Sequence, residues 1–273
     1  MQASRAWNAP TGVLGGIVAE AYARAKQLSP RADELAKLAA RAPAGPSLAG
    51  VLRQSTVGVI AEVKRRSPSK GWINPGIAAA DQATAYERGG AAAISVLTEP
   101  RHFGGSVDDF AEVRAAVAVP VVKKDFHVLP IQLLEARAMG ASAALLIARA
   151  VSPADLRVLV TCANDIGLET LVEVRDEEEL ATALELGASL IGVNNRNLES
   201  LDIDPSTSDR LIGLIPPSVV AVAESGVANR GDVERAARVG ANAVLVGSVV
   251  SSAPDPVAAV RALTGVARVA RAG

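Results

Sequence analysis

Eight short apolar runs alternate along this chain with stretches of helical period, and this alternation restricts the fold more than any other feature. The runs are VGVIAEVK (57–64), AAISVLTE (92–99), VPVVKKD (119–125), AALLIA (143–148), ETLVEVR (169–175), SLIGVNNR (189–196), SVVAVAES (218–225) and AVLVGS (243–248). Between and after them, 77–89, 106–117, 130–139, 152–166, 176–186, 206–214, 229–238 and 255–264 have amphipathic helical spacing. Ser106, Ser152, Asp176 and Asn229 stand where an N-cap belongs. Gly89, Gly140, Gly167, Gly187 and Gly240 stand where a left-handed residue would end a helix.

Strict β–α alternation implies a parallel sheet with right-handed crossovers, and eight such units close most naturally into a barrel. An open doubly wound sheet would carry a Gly-rich fingerprint after its first strand, but KRRSPSKG (64–71) stands there instead. The expected fold is therefore α/β, a (β/α)8 barrel over 51–273. Residues 1–50 precede it as a helical extension: AEAYARAKQL and RADELAKLAARA read as two amphipathic helices, followed by a Pro/Gly-rich linker at 43–50. Such an extension either caps the bottom of the barrel or covers its mouth.

Nearly half of the 273 residues are hydrophobic but only 3% are aromatic, so Ala, Val, Leu and Ile must fill the core. That palette suits a parallel sheet buried on both faces. A net charge of -1 offers no global attraction to nucleic acid or anionic lipid. The basic run KRRSPSK lies in a βα loop and carries no nucleic-acid reading. No apolar stretch approaches the roughly 20 residues of a membrane span, and no signal peptide is evident. The single Cys162 excludes an internal disulfide and fits a reducing compartment. The expectation is a cytoplasmic protein, a monomer or weak homodimer. Cys162 itself reads as a packing residue. His102 and His127 stand apart from Cys or carboxylate ligand spacings, so no metal is expected. Trp72, in the first loop, either flanks an aromatic substrate or sits exposed.

Several runs end in polar residues, which parallel strands of a barrel would gather on one rim. Glu62 and Lys64 are two apart and so share a face. Lys123 and Lys124 are adjacent, so only one can enter the mouth, and periodicity does not say which. Glu173 is a carboxylate flanked by apolar residues; burial there raises a carboxyl and suits a general acid or base. Asn194 and Arg196 supply donors for a carboxylate or hydroxyl. Glu224, ending the seventh run, is placed with the substrate-binding residues. The small residues of AESGV and VGS put Ser225, Gly226, Gly247 and Ser248 after the seventh and eighth strands, the usual phosphate cradle of this fold.

The motifs IAEVKRRSPSKG (60–71), GGAAAISVLTE (89–99), FGGS (103–106), KKDF (123–126), ALLI (144–147), LVEV (171–174), IGVNNRNL (191–198), VAESG (222–226) and VLVGS (244–248) follow in order, about one per strand end. Over about 57–250 the chain thus resembles the indole-3-glycerol phosphate synthase family of tryptophan biosynthesis. The resemblance implies ring closure of 1-(2-carboxyphenylamino)-1-deoxyribulose 5-phosphate with loss of carbon dioxide and water, and no cofactor. It implies Lys124 as the general acid of ring closure, and Glu173 as general base with Lys64 as its acid partner in dehydration. It implies that Glu62 and Asn194 orient substrate and lysines, and that Ser67 and Arg196 hold the anthranilate side. It implies that Phe103 and Phe126 pack on the aromatic ring, while Ser225, Gly226, Gly247 and Ser248 hold the phosphate. A lysine desolvated beside another cation would donate its proton near neutrality. Phosphoribosylanthranilate isomerase, a related barrel, would by resemblance want a cysteine near the end of the first strand, where Glu62-Val63-Lys64 stands. Primary and secondary tryptophan routes both remain open at this point.

Overall fold

Each apolar run forms one parallel strand, and the eight strands close on themselves in a computed structural model that describes residues 7–271. The strands are β1 Gly58–Val63, β2 Ala93–Leu97, β3 Val121–Lys124, β4 Ala143–Ile147, β5 Glu169–Val174, β6 Leu190–Asn194, β7 Val220–Glu224 and β8 Ala243–Val246. Each pairs with its sequence neighbours, and β8 returns to β1 through Gly58–Ala243 to Ala61–Val246, leaving no free sheet edge in the barrel. Nearly every strand residue is buried, because one face packs inside the barrel and the other under the helices.

The extension contributes α1 Gly12–Gln27, α2 Ala32–Arg41 and α3 Leu48–Val51. The surrounding helices are α4 Ala79–Arg88, α5 Pro100–Phe103, α6 Val107–Ala116, α7 Pro130–Ala138, α8 Pro153–Asp165, α9 Glu177–Glu185, α10 Ser206–Leu211, α11 Arg230–Arg238, α12 Ser248–Ser251 and α13 Pro256–Arg261. Ser106, Ser152, Asp176 and Asn229 each accept a hydrogen bond from an early N–H of the following helix. Gly140, Gly167, Gly187 and Gly240 take the left-handed conformation, but Gly89 does not. Gly90 (φ 93°) makes that turn, because α4 runs on to Arg88 and Gly89 stays helical as its cap.

The extension reaches both ends of the barrel. At the mouth, Val13, Leu14 and Ile17 of α1 line the central cavity. On the flank, the Arg137 guanidinium donates to the carbonyls of Ala42 (2.8 Å) and Pro43 (2.9 Å), tying the linker to α7. At the bottom, Glu169 at the start of β5 accepts from Ser47 Oγ (2.6 Å), Leu48 N (2.8 Å) and Ala49 N (3.0 Å). Residues 1–6 of the extension lie outside the described residues. Among the described residues no helix is long and apolar enough to cross a membrane.

Candidate active site

The C-terminal ends of the strands open into a cavity of about 420 Å³. Glu62, Lys64, Lys124, Glu173, Asn194, Arg196 and Glu224 all line it, as do Ser67, Phe103 and Phe126 and the four residues expected at the phosphate. The cavity thus brings together every expected site residue, from seven strand ends and their loops.

Lys124 lies inside and Lys123 outside. Lys123 Nζ donates to Glu135 of α7 at 3.0 Å behind the barrel, while Lys124 Nζ stands 3.8 Å from Glu62 Oε2 and 3.9 Å from Glu173 Oε2. Glu62 also accepts from Lys64 Nζ at 2.6 Å, so the spacing of two does place them on one face. A row of alternating charge results: Lys64, Glu62, Lys124, Glu173. Asn194 Nδ2 donates to Glu173 Oε1 (2.8 Å), and its own Oδ1 accepts from Arg196 N (2.9 Å). Asn194 therefore fixes the outer oxygen of Glu173 and leaves the other toward Lys124.

The electrostatics differ from the expectation for Lys124. Burial alone would lower its ammonium, but Glu62, Glu173 and Glu224 outweigh burial and hold it well above the ordinary lysine range. Lys124 is thus charged at neutral pH, and its acid strength must come from the substrate atom it faces. The expectation failed because it counted Lys64 and burial but not three carboxylates from other strands. Burial likewise works to raise Glu62, but Lys64 and then Lys124 hold it below the usual carboxylate range. Glu224 goes the other way. Burial, then the Glu173 carboxylate, push it well above that range, with Lys124 only partly countering. Its buried Oε1 lacks a hydrogen-bond partner among the described residues. Its carboxyl fits because Gly192 on β6 has no side chain; a Cβ there would run into Glu224 Oε1.

Phe103 and Phe126 face each other across the cavity wall, with ring centroids 6.1 Å apart and planes tilted by 37°. Such a pair suits the side of an aromatic ring. At the opposite sector, Ser225 (φ 62°) and Gly226 (φ 88°) are both left-handed, a tight turn in which small residues keep the backbone accessible. Gly247 caps α12, whose first N–H groups have no partner within that helix. A Cβ on Gly247 would strike Glu62 Oε1 and Lys64 Nζ. This glycine therefore makes room for the ion pair as well as for a ligand beside the loop, and the pairing across strands is what the sequence does not display.

Further lining residues carry no signal in the strand ends. Lys70, in the first loop, adds another cation to the lining, and Leu198, Leu201 and Ile203 add apolar wall. Leu201 is left-handed at φ 71°, held by its N–H to the Asn197 carbonyl and by its carbonyl to Arg196 Nη1. The basic run KRRSPSK is dispersed: Arg65 pairs with Asp109, and Arg66 stacks over Trp72 at 5.6 Å. Trp72 is exposed and does not line the cavity.

His102 is not isolated in space. Its ring approaches Glu20 and Glu99 closely enough to form a ligand-like cluster. The donors are already engaged: Glu99 accepts from the N–H groups of Arg101, His102 and Phe103, and Glu20 from Arg101 Nη1 and His102 Nε2. The cluster reads as a cap and a clamp on α1. His127 is buried and neutral, lowered to about 4 by burial and by Lys123, with Nδ1 2.7 Å from the Leu145 carbonyl. Cys162 is partly buried in α8 and packs against the core.

The indole-3-glycerol phosphate synthase family model matches residues 15–263. The chain belongs to the indole-3-glycerol phosphate synthase family. Indole-3-glycerol phosphate synthase 2 of Streptomyces coelicolor is 46% identical over 258 residues, covering 93% of this chain and 100% of that protein. An indole-3-glycerol phosphate synthase of Nocardioides sp. is 53% identical over 208 residues, 76% of this chain and 80% of that one. Among solved structures, thiamine phosphate pyrophosphorylase of Pyrococcus furiosus aligns with a TM-score of 0.58 at 16% identity, over 76% of this chain and 93% of that one. That likeness concerns the barrel alone. The synthase family comprises decarboxylating lyases of tryptophan biosynthesis that act on a phosphorylated small molecule, and the cavity has the charge pattern such chemistry needs.

Proposed function

We propose that this chain closes the indole ring of 1-(2-carboxyphenylamino)-1-deoxyribulose 5-phosphate, with Lys124 as the acid and Glu173 as the base. The observation that carries these roles is Lys124 held between the carboxylates of Glu62 and Glu173 in the barrel mouth. The ring carbon bearing the carboxylate attacks the ribulose carbonyl, and a neutral aryl amine is too weak a carbon nucleophile to do so unaided. As the bond forms, basicity develops on the carbonyl oxygen, and Lys124 donates a proton to it. Carbon dioxide leaves and restores aromaticity. Lys64 then protonates the departing hydroxyl while Glu173 removes the proton from the adjacent carbon, giving indole-3-glycerol phosphate and water.

Glu62 and Asn194 set the positions of these three groups. Ser67, Arg196 and Glu224 hold the polar groups of the substrate, and Phe103 and Phe126 hold its ring. Ser225, Gly226, Gly247 and Ser248 receive the phosphate through backbone N–H groups and hydroxyls. The proposed working unit is a cytoplasmic monomer or weak homodimer, with 1–50 as its extension and 51–273 as the catalytic barrel; no cofactor enters the scheme.

Mixing the protein with the carboxyphenylamino substrate and following indole fluorescence tests the activity. Lys124→Ala should lower kcat by at least about 100-fold, the usual contribution of a positioned acid, with the fold intact. A variant that keeps more than about a tenth of wild-type kcat removes Lys124 from the acid role.

A further inference from the structure

A second, smaller cavity of about 120 Å³ lies behind the Glu173–Asn194 pair. The two cavities share Ile147, Glu173, Asn194, Arg196 and Leu198, so Glu173 is a wall common to both. The far side of the smaller one is polar: Arg149, Arg175, Asp176, Glu179, Asn197 and Glu199. Its volume and donors suit several water molecules, and its rim includes the exposed Asp176.

The proposed chemistry requires such a chamber to do something. The substrate carboxylate enters charged and leaves as neutral carbon dioxide, so each turnover consumes one proton net. Lys124 and Lys64 each give one up, and Glu173 gains one. Returning the proton of Glu173 to one lysine leaves the other to be recharged from solvent. On the side of α1 the main cavity is lined by Val13, Leu14 and Ile17, which carry no proton.

No step above uses the chamber carboxyls Asp176, Glu179 and Glu199; Asp176 is exposed and Glu199 is bonded to Thr11 and Arg149, which leaves Glu179. Its Oε2 accepts from the Arg175 N–H at 2.8 Å, which fixes the side chain at the start of α9. We propose that Glu179 and the water of this chamber form the inlet by which a proton reaches Glu173, and through it the lysines, in each turnover. The Glu179 O–H bond breaks as its proton passes to a chamber water. That water gives one of its own protons to a Glu173 oxygen, and Glu173 hands it to Lys124 Nζ. The row Lys124, Glu62, Lys64 distributes it further, and Glu179 is reprotonated from solvent past Asp176. Burial and then the Asp176 charge push Glu179 up to about 8; Glu173 adds to this, while the Arg175 N–H and Arg149 oppose it. Glu179 therefore holds its proton at neutral pH and loses it above that value. Glu199, another carboxyl of the lining, is held below the usual carboxylate range, first by the Thr11 N–H and then, against burial, by Arg149.

This inference rests on the acid–base scheme proposed above. Glu179→Gln keeps the size of the side chain and an acceptor for the Arg175 N–H. It should lower kcat about tenfold or more with KM unchanged, remove the fall of kcat expected of the wild type near pH 8, and respond to imidazole or small amine buffers by regaining rate. Glu179→Asp should recover part of the loss. A Gln variant with wild-type kcat and pH profile overturns the inlet, as does a loss that no buffer relieves, which would make Glu179 a structural cap. Should the Gln variant not fold, the wild type decides: kcat should fall above about pH 8 and small amine buffers should lift it. A flat profile there, or one indifferent to buffer, overturns the inlet. Failure of the parent reading would look different: Lys124→Ala would then keep more than about a tenth of wild-type kcat.

Discussion

Glu224 shows what a single residue gains from its neighbours. Its placement depends on a slot in β6, where Gly192 leaves the space that the carboxyl fills. Gly192→Ala should push that carboxyl into the mouth, against Glu173 and Lys124, and lower kcat by one to two orders of magnitude at a stability cost of about 1–3 kcal/mol. In a Glu224→Ala background the clash is gone, so the same methyl should cost almost nothing further; a double-mutant cycle on kcat and on urea unfolding measures the coupling. Equal losses in both backgrounds would show that Gly192 serves packing alone. The role of Gly192 was not legible in the chain, because IGV reads as any buried strand and the partner lies 32 positions on. Lys124 was half legible: adjacency of two lysines says that one enters the mouth, periodicity leaves the choice open, the family resemblance implies Lys124, and the structure sends Lys123 to Glu135 on α7. The three carboxylates that keep Lys124 charged come from β1, β5 and β7, and pairwise spacing within one strand does not reveal them.

At the scale of elements, the strands and helices were legible because buried parallel strands and capped helices each leave a local pattern. The short helix α5 was not, since four residues show no period. It exists because Glu99 accepts three successive N–H groups at its start and Gly104 turns left-handed at its end. Glu99 read in the sequence as one more polar strand end; its side chain turns back to the backbone instead. This helix carries Phe103 to the cavity and offers Arg101 and His102 to Glu20 of α1. Glu99→Ala should cost about 1 kcal/mol as a lost cap and raise KM several-fold, because Phe103 loses its fixed position. Glu99→Gln, which still accepts N–H bonds, should restore most of the affinity. Thermal melts with substrate titrations check both, and unchanged KM in the Ala variant would show that α5 holds Phe103 without its cap.

At the scale of the molecule, the extension joins the two ends of the barrel, and its upper clamp is an ion pair. Arg24 of α1 donates through Nη2 to Asp125 Oδ1 at 2.8 Å and through Nη1 to Oδ2 at 3.2 Å. Asp125 is buried at the end of β3, where it also accepts from Thr98 Oγ1 (2.7 Å) and Phe126 N (2.8 Å). Sequence alone left open whether the extension sealed the bottom or the mouth, because both clamps join residues about 100 or more positions apart. Burial opposes the charge of Asp125, but Lys123 and Arg24 outweigh it and hold the carboxyl far below the usual range. A depressed carboxyl adds stability above its unfolded value of about 4 and loses it only as pH falls through the lower folded value. The clamp should therefore be constant across neutral pH and fail only in strong acid. Arg24→Met keeps the aliphatic stem but leaves the buried carboxylate short of a partner. Its cost should lie between that of an exposed pair and a fully buried one, about 2 kcal/mol, since Arg24 is partly exposed. With α1 loosened, Val13, Leu14 and Ile17 no longer close the cavity, so KM should rise more than kcat falls. Limited proteolysis should also cut faster in the linker at 42–47, and substrate should slow the cutting. If Arg24→Met loses stability while KM and proteolysis stay at wild-type values, α1 is a fixed part of the wall and not a cover whose closure binding draws upon.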